Sequence, residues 1–206
     1  IVQVQVRPEA GTTFATCLRA FLRQDPDIIL VGEIRDIETA QIAIQASLTG
    51  HLVLSTLHTN DAPQTVTRLI DMGVEPFLAS ATLEAIIAQR LVRRICTACK
   101  EPYTPTEEAL MELNLTSDRV KDRTFHTGKG CEACNNTGYK GRIAIYEILV
   151  LNDQMRDLVT KNAPTVKLRD AARAHGMRTL RDSGLLAIYD GVTTLEEVVG
   201  ATTFVD

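Results

Sequence analysis

No apolar run in the sequence approaches the roughly 18 residues that a membrane span requires, and Ile1 to Arg7 lack the charged-then-apolar layout of a signal peptide. Basic charge is not in excess either. The 22 Lys and Arg against 26 Asp and Glu give a net charge of -4 and a pI near 5.6, which supplies no global positive field for nucleic acid or anionic lipid. Five cysteines in 206 residues are too few for a disulfide scaffold. These absences predict a soluble, cytoplasmic chain in a reducing compartment, with no nucleic-acid partner and no direct membrane insertion. The initiator methionine is missing too: the chain opens at Ile1 inside an alternating stretch, which predicts that the natural protein extends upstream. Also missing is a phosphate-binding loop. Such a loop needs G-x-x-x-x-G-K-[ST], so that backbone N–H groups wrap the phosphates while the lysine and hydroxyl handle charge and Mg²⁺. The one Gly-Lys pair, Gly128-Lys129, is followed by Gly130.

What is present reads as an α/β chain. Ile1 to Val6 alternates apolar and polar, the period of a half-buried strand. Phe14, Leu18, Phe21 and Leu22 recur at helical spacing between Thr13 and Gln24, and Asp25-Pro26 stops that helix. Ile28 to Val31 is an uninterrupted apolar run, the signature of a strand buried on both faces in a parallel sheet. Asp36 caps a helix with the stripe Ile37, Ala40, Ile44 and Leu48, closed by Gly50, and a second strand, Leu52 to Leu57, follows. Ala62 to Met72 and Pro76 to Arg90 read as two further helices, the second apolar on most sides. Short joints between these elements argue for right-handed crossovers, which put the active loops at the strand ends. Composition shifts at Cys96. Residues 96 to 141 look like a metal-stapled insertion with a short acidic helix at Glu107 to Leu113; Ile143 to Leu149 resumes a strand, and 153 to 199 gives three or four short helices punctuated by Pro164, Gly176 and Gly191.

Three constellations carry chemistry. In Asp27 to Asp36 an apolar strand ends at Glu33, which places a carboxylate at the sheet's carboxyl edge, where it can orient a water or act on Mg²⁺-bound phosphate. On the residues alone, Glu33 is equally a cap or ion-pair partner near a helix start. Ser55-Thr56-Leu57-His58-Thr59-Asn60 presents hydroxyls, an imidazole and an amide at the same edge, a set suited to a terminal phosphate. His51, at the opposite strand end, reads as structural. Cys96-Thr97-Ala98-Cys99 and, after a gap of 31 residues, Cys131-Glu132-Ala133-Cys134 form two knuckles that match tetrahedral Zn²⁺ with every position filled, a structural site. Cys17 sits on an apolar helical face and reads as core. Arg90, Arg93 and Arg94 form a basic cluster of the kind that is usually solvated or ion-paired, or that meets acidic groups of a neighbouring subunit.

Val31-Gly32-Glu33-Ile34-Arg35-Asp36 resembles the Walker B motif of the type II and type IV secretion ATPase superfamily, and Leu54 to Asn60 resembles its histidine box. Leu22 to Asp27 and Gln41 to Leu57 are similar to it as well, so the resemblance covers nearly the whole chain. The stretches 176 to 185 and 191 to 198 look more like the pilus-assembly branch than the type II secretion branch; both branches resemble the four-cysteine arrangement, which the retraction branch typically lacks. The resemblance implies three parts: residues 1–95 as the C-terminal part of a RecA-like P-loop ATPase core, a parallel-type sheet with flanking helices; 96–141 as a zinc-binding insertion; and 142–206 as a core-closing strand and C-terminal helical subdomain. It implies that Glu33 polarises the attacking water, that His58 senses the γ-phosphate, and that Gly32, Arg35, Thr56 and Thr59 belong to the nucleotide site. Gly32 stands where ordinary Walker B motifs carry an acid, so Mg²⁺ is expected to be held largely by upstream residues. The family's phosphate loop and aspartate box lie N-terminal to the position of Ile1, so this piece alone is expected to be inactive. ATP, Mg²⁺ and Zn²⁺ are the implied cofactors. A homo-hexamer working on an inner-membrane platform protein, peripheral to the inner membrane, is the implied assembly. The rival of another class is a non-catalytic zinc-ribbon binding module, favoured by Gly138-Tyr139-Lys140-Gly141-Arg142 after the second knuckle.

Overall fold

A computed structural model describes residues 1–203. The described chain packs as two compact units, one of residues 1–86 and 149–175, the other of 87–148 and the described residues from 176 on. The chain leaves and re-enters each of them.

In the first unit, helix α1 (Phe14–Phe21) starts at a reciprocal capping box between Thr13 and Thr16 and tightens into a 3-10 turn over Leu22–Gln24. Asp25 then takes a left-handed conformation, φ 49°, which breaks the helix before Pro26. Strand β1 (Ile28–Val31), helix α2 (Ile37–Leu48) and strand β2 (Leu52–Ser55) form a β-α-β unit, with β1 and β2 parallel in the register Ile28↔Leu52 to Val31↔Ser55. Ile29 and Val31 close a core with Ala15 and Leu18 of α1 and Ile42, Ala43 and Ala46 of α2. Helices α3 (Ala62–Asp71) and α4 (Pro76–Thr82) follow; α6 (Asp153–Thr160) packs on α4, and α7 (Thr165–Ala174) packs on α3.

Strand β3 (Ala85–Ile95) pairs with β6 (Tyr139–Val150). In the second unit, β4 (Lys100–Tyr103) and β5 (Phe125–Gly128) form an antiparallel pair flanking α5 (Glu107–Glu112). Helices α8 (Leu180–Tyr189) and α9 (Leu195–Thr202) complete it, with Ile188, Leu195 and Val198 packed against Leu110, Val120 and Phe125.

Four expectations are corrected. Ile1 to Val6 forms no strand, because no described residue supplies a ladder for it; the first pairing is the isolated bridge Arg7↔Thr12. Among the described residues strand β1 is covered on one face, by α1 and α2, and Ile28 and Leu30 on the other are 62% and 70% exposed. The buried stripe of α2 is Thr39, Ala40, Ile42, Ala43 and Ala46, and Leu48 is exposed. The helix expected over 76–90 stops at Thr82, and 85–95 is strand. Its β-branched residues suit an extended chain, and pairing with β6 decides between two patterns that an apolar run leaves open.

Candidate functional site

Strands β1 and β2 end side by side, and the chain beyond them stays in step. Ile34 N–H donates to the Thr56 carbonyl at 3.0 Å, and the Thr56 hydroxyl donates to the Gly32 carbonyl at 2.7 Å. The two loops at the carboxyl edge of the sheet are thereby tied together, which carries Glu33 on one toward His58 on the other. Glu33 Oε2 lies 2.6 Å from Arg35 Nε and 3.0 Å from His58 Nε2. The Arg35 bond, and after it the His58 bond, holds the Glu33 carboxyl below its usual range, and Glu33 in turn raises Arg35. The glutamate side chain is only 21% exposed while the imidazole is 82% exposed, so the carboxylate sits at the base and the imidazole projects from the rim. An ionised carboxylate at a sheet edge, with an imidazole and a guanidinium on the same oxygen, can accept a proton from a bound water and order it for attack.

Of the residues singled out in the sequence, Glu33, Arg35, His58 and Thr56 come together with the Gly32 carbonyl. Thr59 does not join them: its hydroxyl is engaged with Thr65 Oγ1 at 2.8 Å and the Asp61 carbonyl at 3.2 Å. His51 Nδ1 sits 2.9 Å from the Ala46 carbonyl at the C-terminal end of α2. Cys17 is half-buried. Arg93 is ion-paired with Glu197 at 2.6 Å and stacks over the Tyr139 ring.

Sequence reading passed over Asp61. It is fully buried, caps α3 by accepting from Gln64 N–H at 2.7 Å, and receives Arg169 Nη2 of α7 at 2.7 Å. The cap was legible, since Asp61-Ala62-Pro63 places an acceptor ahead of a proline in the first helical turn. The arginine was not, because it arrives from 108 residues away.

In the second unit the four sulfurs of Cys96, Cys99, Cys131 and Cys134 lie within 4.8 Å of one another. The close pairs are 3.9 Å (Cys96 and Cys131), 3.9 Å (Cys99 and Cys134) and 3.7 Å (Cys131 and Cys134). All are too long for disulfides. A tetrahedral zinc with Zn–S bonds of about 2.3 Å has sulfur–sulfur edges of about 3.8 Å, so the donor set has the size that ion requires. Backbone N–H groups of Gly130, Cys131 and Gly138 point at Cys99 Sγ or Cys134 Sγ at 3.2 to 3.3 Å, as thiolate ligands require. Burial pushes the Cys134 thiol up, but the Cys131 and Gly138 N–H groups outweigh it and bring it to about 6. The approach of the strands is close: a Cβ on Gly128 would meet the Gly138 carbonyl oxygen at 2.0 Å.

Residues 1–200 match the family model described as type II/IV secretion system protein. The chain belongs to that family. It is 54% identical over 202 residues to the type IV pilus assembly ATPase PilB of Thermus thermophilus and 54% identical over 203 residues to that of Myxococcus xanthus. It is 52% identical over 202 residues to the type II secretion system protein HxcR of Pseudomonas aeruginosa. Each alignment takes 98% of this chain, but the chain spans only 23%, 36% and 39% of those relatives. Among solved structures, the pilus retraction motor PilT with bound ADP superposes with a TM-score of 0.64 at 31% identity, over 93% of this chain and 44% of that one. The ATPase DotB of Yersinia pseudotuberculosis, at 21% identity and a TM-score of 0.68 over 98% of this chain and 43% of that one, shares the fold. Family members of both the pilus and the secretion kind are thus represented, and the α/β architecture is theirs. No helix among the described residues is long and apolar enough to cross a membrane.

Proposed function

We propose that this chain is the C-terminal part of a ring-forming ATPase that hydrolyses ATP to power type IV pilus assembly, acting on an inner-membrane platform protein from the cytoplasmic side. The observation that carries the reading is the ionised Glu33 carboxylate held by Arg35 and His58 at the carboxyl edge of the parallel pair, within a chain 54% identical to two pilus assembly ATPases. In this reading residues 1–95 complete a RecA-like P-loop core whose phosphate loop lies upstream. Mg²⁺ is held mainly there, and Thr56 and the Gly32 carbonyl brace the edge. Glu33 accepts the proton of the attacking water, His58 stands where a terminal phosphate would arrive, and Arg35 keeps Glu33 ionised. Thr59 serves by fixing the turn after His58. Without the upstream loop the 206 residues alone do not hydrolyse ATP. Zinc bound by Cys96, Cys99, Cys131 and Cys134 closes the 96–141 element and does no chemistry, since all four positions are filled by protein.

A second reading, a type II secretion ATPase, rests on the 52% identity to HxcR. The two separate in the organism that carries the gene. Glu33→Gln at the native locus should abolish surface pili and leave protein secretion intact. Loss of secretion with intact pili selects the second reading, and intact pili and secretion together overturn both.

A further inference from the structure

The structure points to Arg169 as a positioning residue for the histidine edge, acting from helix α7 through the buried carboxylate of Asp61. This rests on the functional reading above and adds to it a route from helix α7 to the reacting end of the sheet.

His58 is mostly exposed, and among the described residues its side chain is bonded to Glu33. Its place is therefore set by the backbone that carries it. On the strand side that backbone is held by Thr56, through its bonds to Gly32 and Ile34. On the far side it is held by Asp61, three residues on, whose one carboxylate does two jobs. Oδ1 receives Gln64 N–H at 2.7 Å and fixes the start of α3; Oδ2 receives Arg169 Nη2 at 2.7 Å. The Asp61 carbonyl takes the Thr59 hydroxyl, and Thr59 and Thr65 are bonded to each other, so the turn between His58 and α3 closes on Asp61 from both directions.

Asp61 is fully buried, whereas Arg169 keeps 23% of its side chain exposed. A fully buried carboxylate must remain paired, so a shift of α7 that carries Arg169 away draws Asp61 with it or strands its charge. A second tie keeps the helices in register: Thr67 of α3 and Thr165 of α7 are bonded at 2.8 Å. Contacts at 61 with 169 and at 67 with 165 run in opposite order along the two helices. They pin α7 across α3 from its cap at Asp61 to Thr67, the end that abuts the His58 turn. A displacement of about 1 Å at a reacting group is worth up to roughly 100-fold in rate, so a bond fixing the turn by its far end has kinetic leverage without touching substrate.

The test uses the full-length protein. Asp61→Asn keeps a good helix cap and gives up only the ion pair; Arg169→Gln removes the same pair from the other side. Each should lower kcat for ATP by roughly 10-fold or more, the scale of a misplaced group, with KM for ATP unchanged. In a His58→Ala background neither should lower kcat further, because the group they position is gone. A loss of the same size in that background shows that they act on folding or elsewhere, and overturns the inference, as does an unchanged kcat in both single variants. Glu33→Gln and His58→Ala are assayed alongside. Undiminished hydrolysis in both means that the functional reading itself has failed and this inference with it, whereas their loss with additive Arg169 effects sinks the positioning role alone.

Discussion

Removing the metal from the four-cysteine cluster should destabilise the chain by an amount that loop entropy sets. The bridged pairs Cys96 and Cys131, and Cys99 and Cys134, are each 35 residues apart. Treated as one cross-link closing a loop of that length, the tie removes about 4 kcal/mol of chain entropy from the unfolded state. A chain of this size shifts by roughly 2 to 4 °C per kcal/mol, so chelation should lower the melting temperature by about 8 °C or more. The assay is elemental analysis of the purified chain, then thermal unfolding before and after a strong chelator, followed by re-addition of zinc. About one zinc per chain is expected, with the drop reversed on re-addition. Metal-free protein whose unfolding ignores the chelator would show that sulfurs 3.7 to 3.9 Å apart can sit together as packed thiols, and the structural-zinc argument would be refuted.

Other perturbations follow from single contacts. Gly128→Ala, whose Cβ would be driven into the Gly138 carbonyl, should reduce zinc content and mimic chelation in the same unfolding assay. Gly184→Ala on α8 would place its Cβ against the Val198 side chain of α9, and overpacking of this kind costs about 1 to 3 kcal/mol, readable by denaturant titration. Met155→Ala, which empties a fully buried site on α6, should cost about 2 to 5 kcal/mol by the same titration. Arg35→Ala should move the acid limb of the full-length enzyme's pH–rate profile upward. Arg35 is the first cause of the lowered Glu33 pKa, and a carboxylate with that support removed is protonated, and lost as a base, at a higher pH.

The legible parts of the fold were those fixed by local chemistry. Asp36 accepts from Thr39 N–H at 2.7 Å as its position ahead of α2 implied, and the C-x-x-C spacing brought all four sulfurs together. The β-α-β unit that ends in Glu33 and His58 was readable because strand, cap and glycine punctuation agreed with one another. What the sequence misled on was decided by partners far along the chain. Ala85 to Arg90 is apolar enough for a buried helix, and only β6, some 50 residues on, makes it a strand. The Asp61 and Arg169 pair eluded sequence reading for the same reason. Each residue alone is an ordinary cap or an ordinary helix-surface cation, and only the packing of α7 on α3 joins them.

The most direct test of the account is the steady-state ATPase rate of the full-length protein with Glu33 replaced by glutamine, measured beside its nucleotide affinity. Removal of a positioned base should lower kcat by roughly 100-fold or more while ATP still binds. A variant that hydrolyses ATP at the wild-type rate would show that the Glu33, Arg35 and His58 cluster is an ion-paired loop and not the site of hydrolysis.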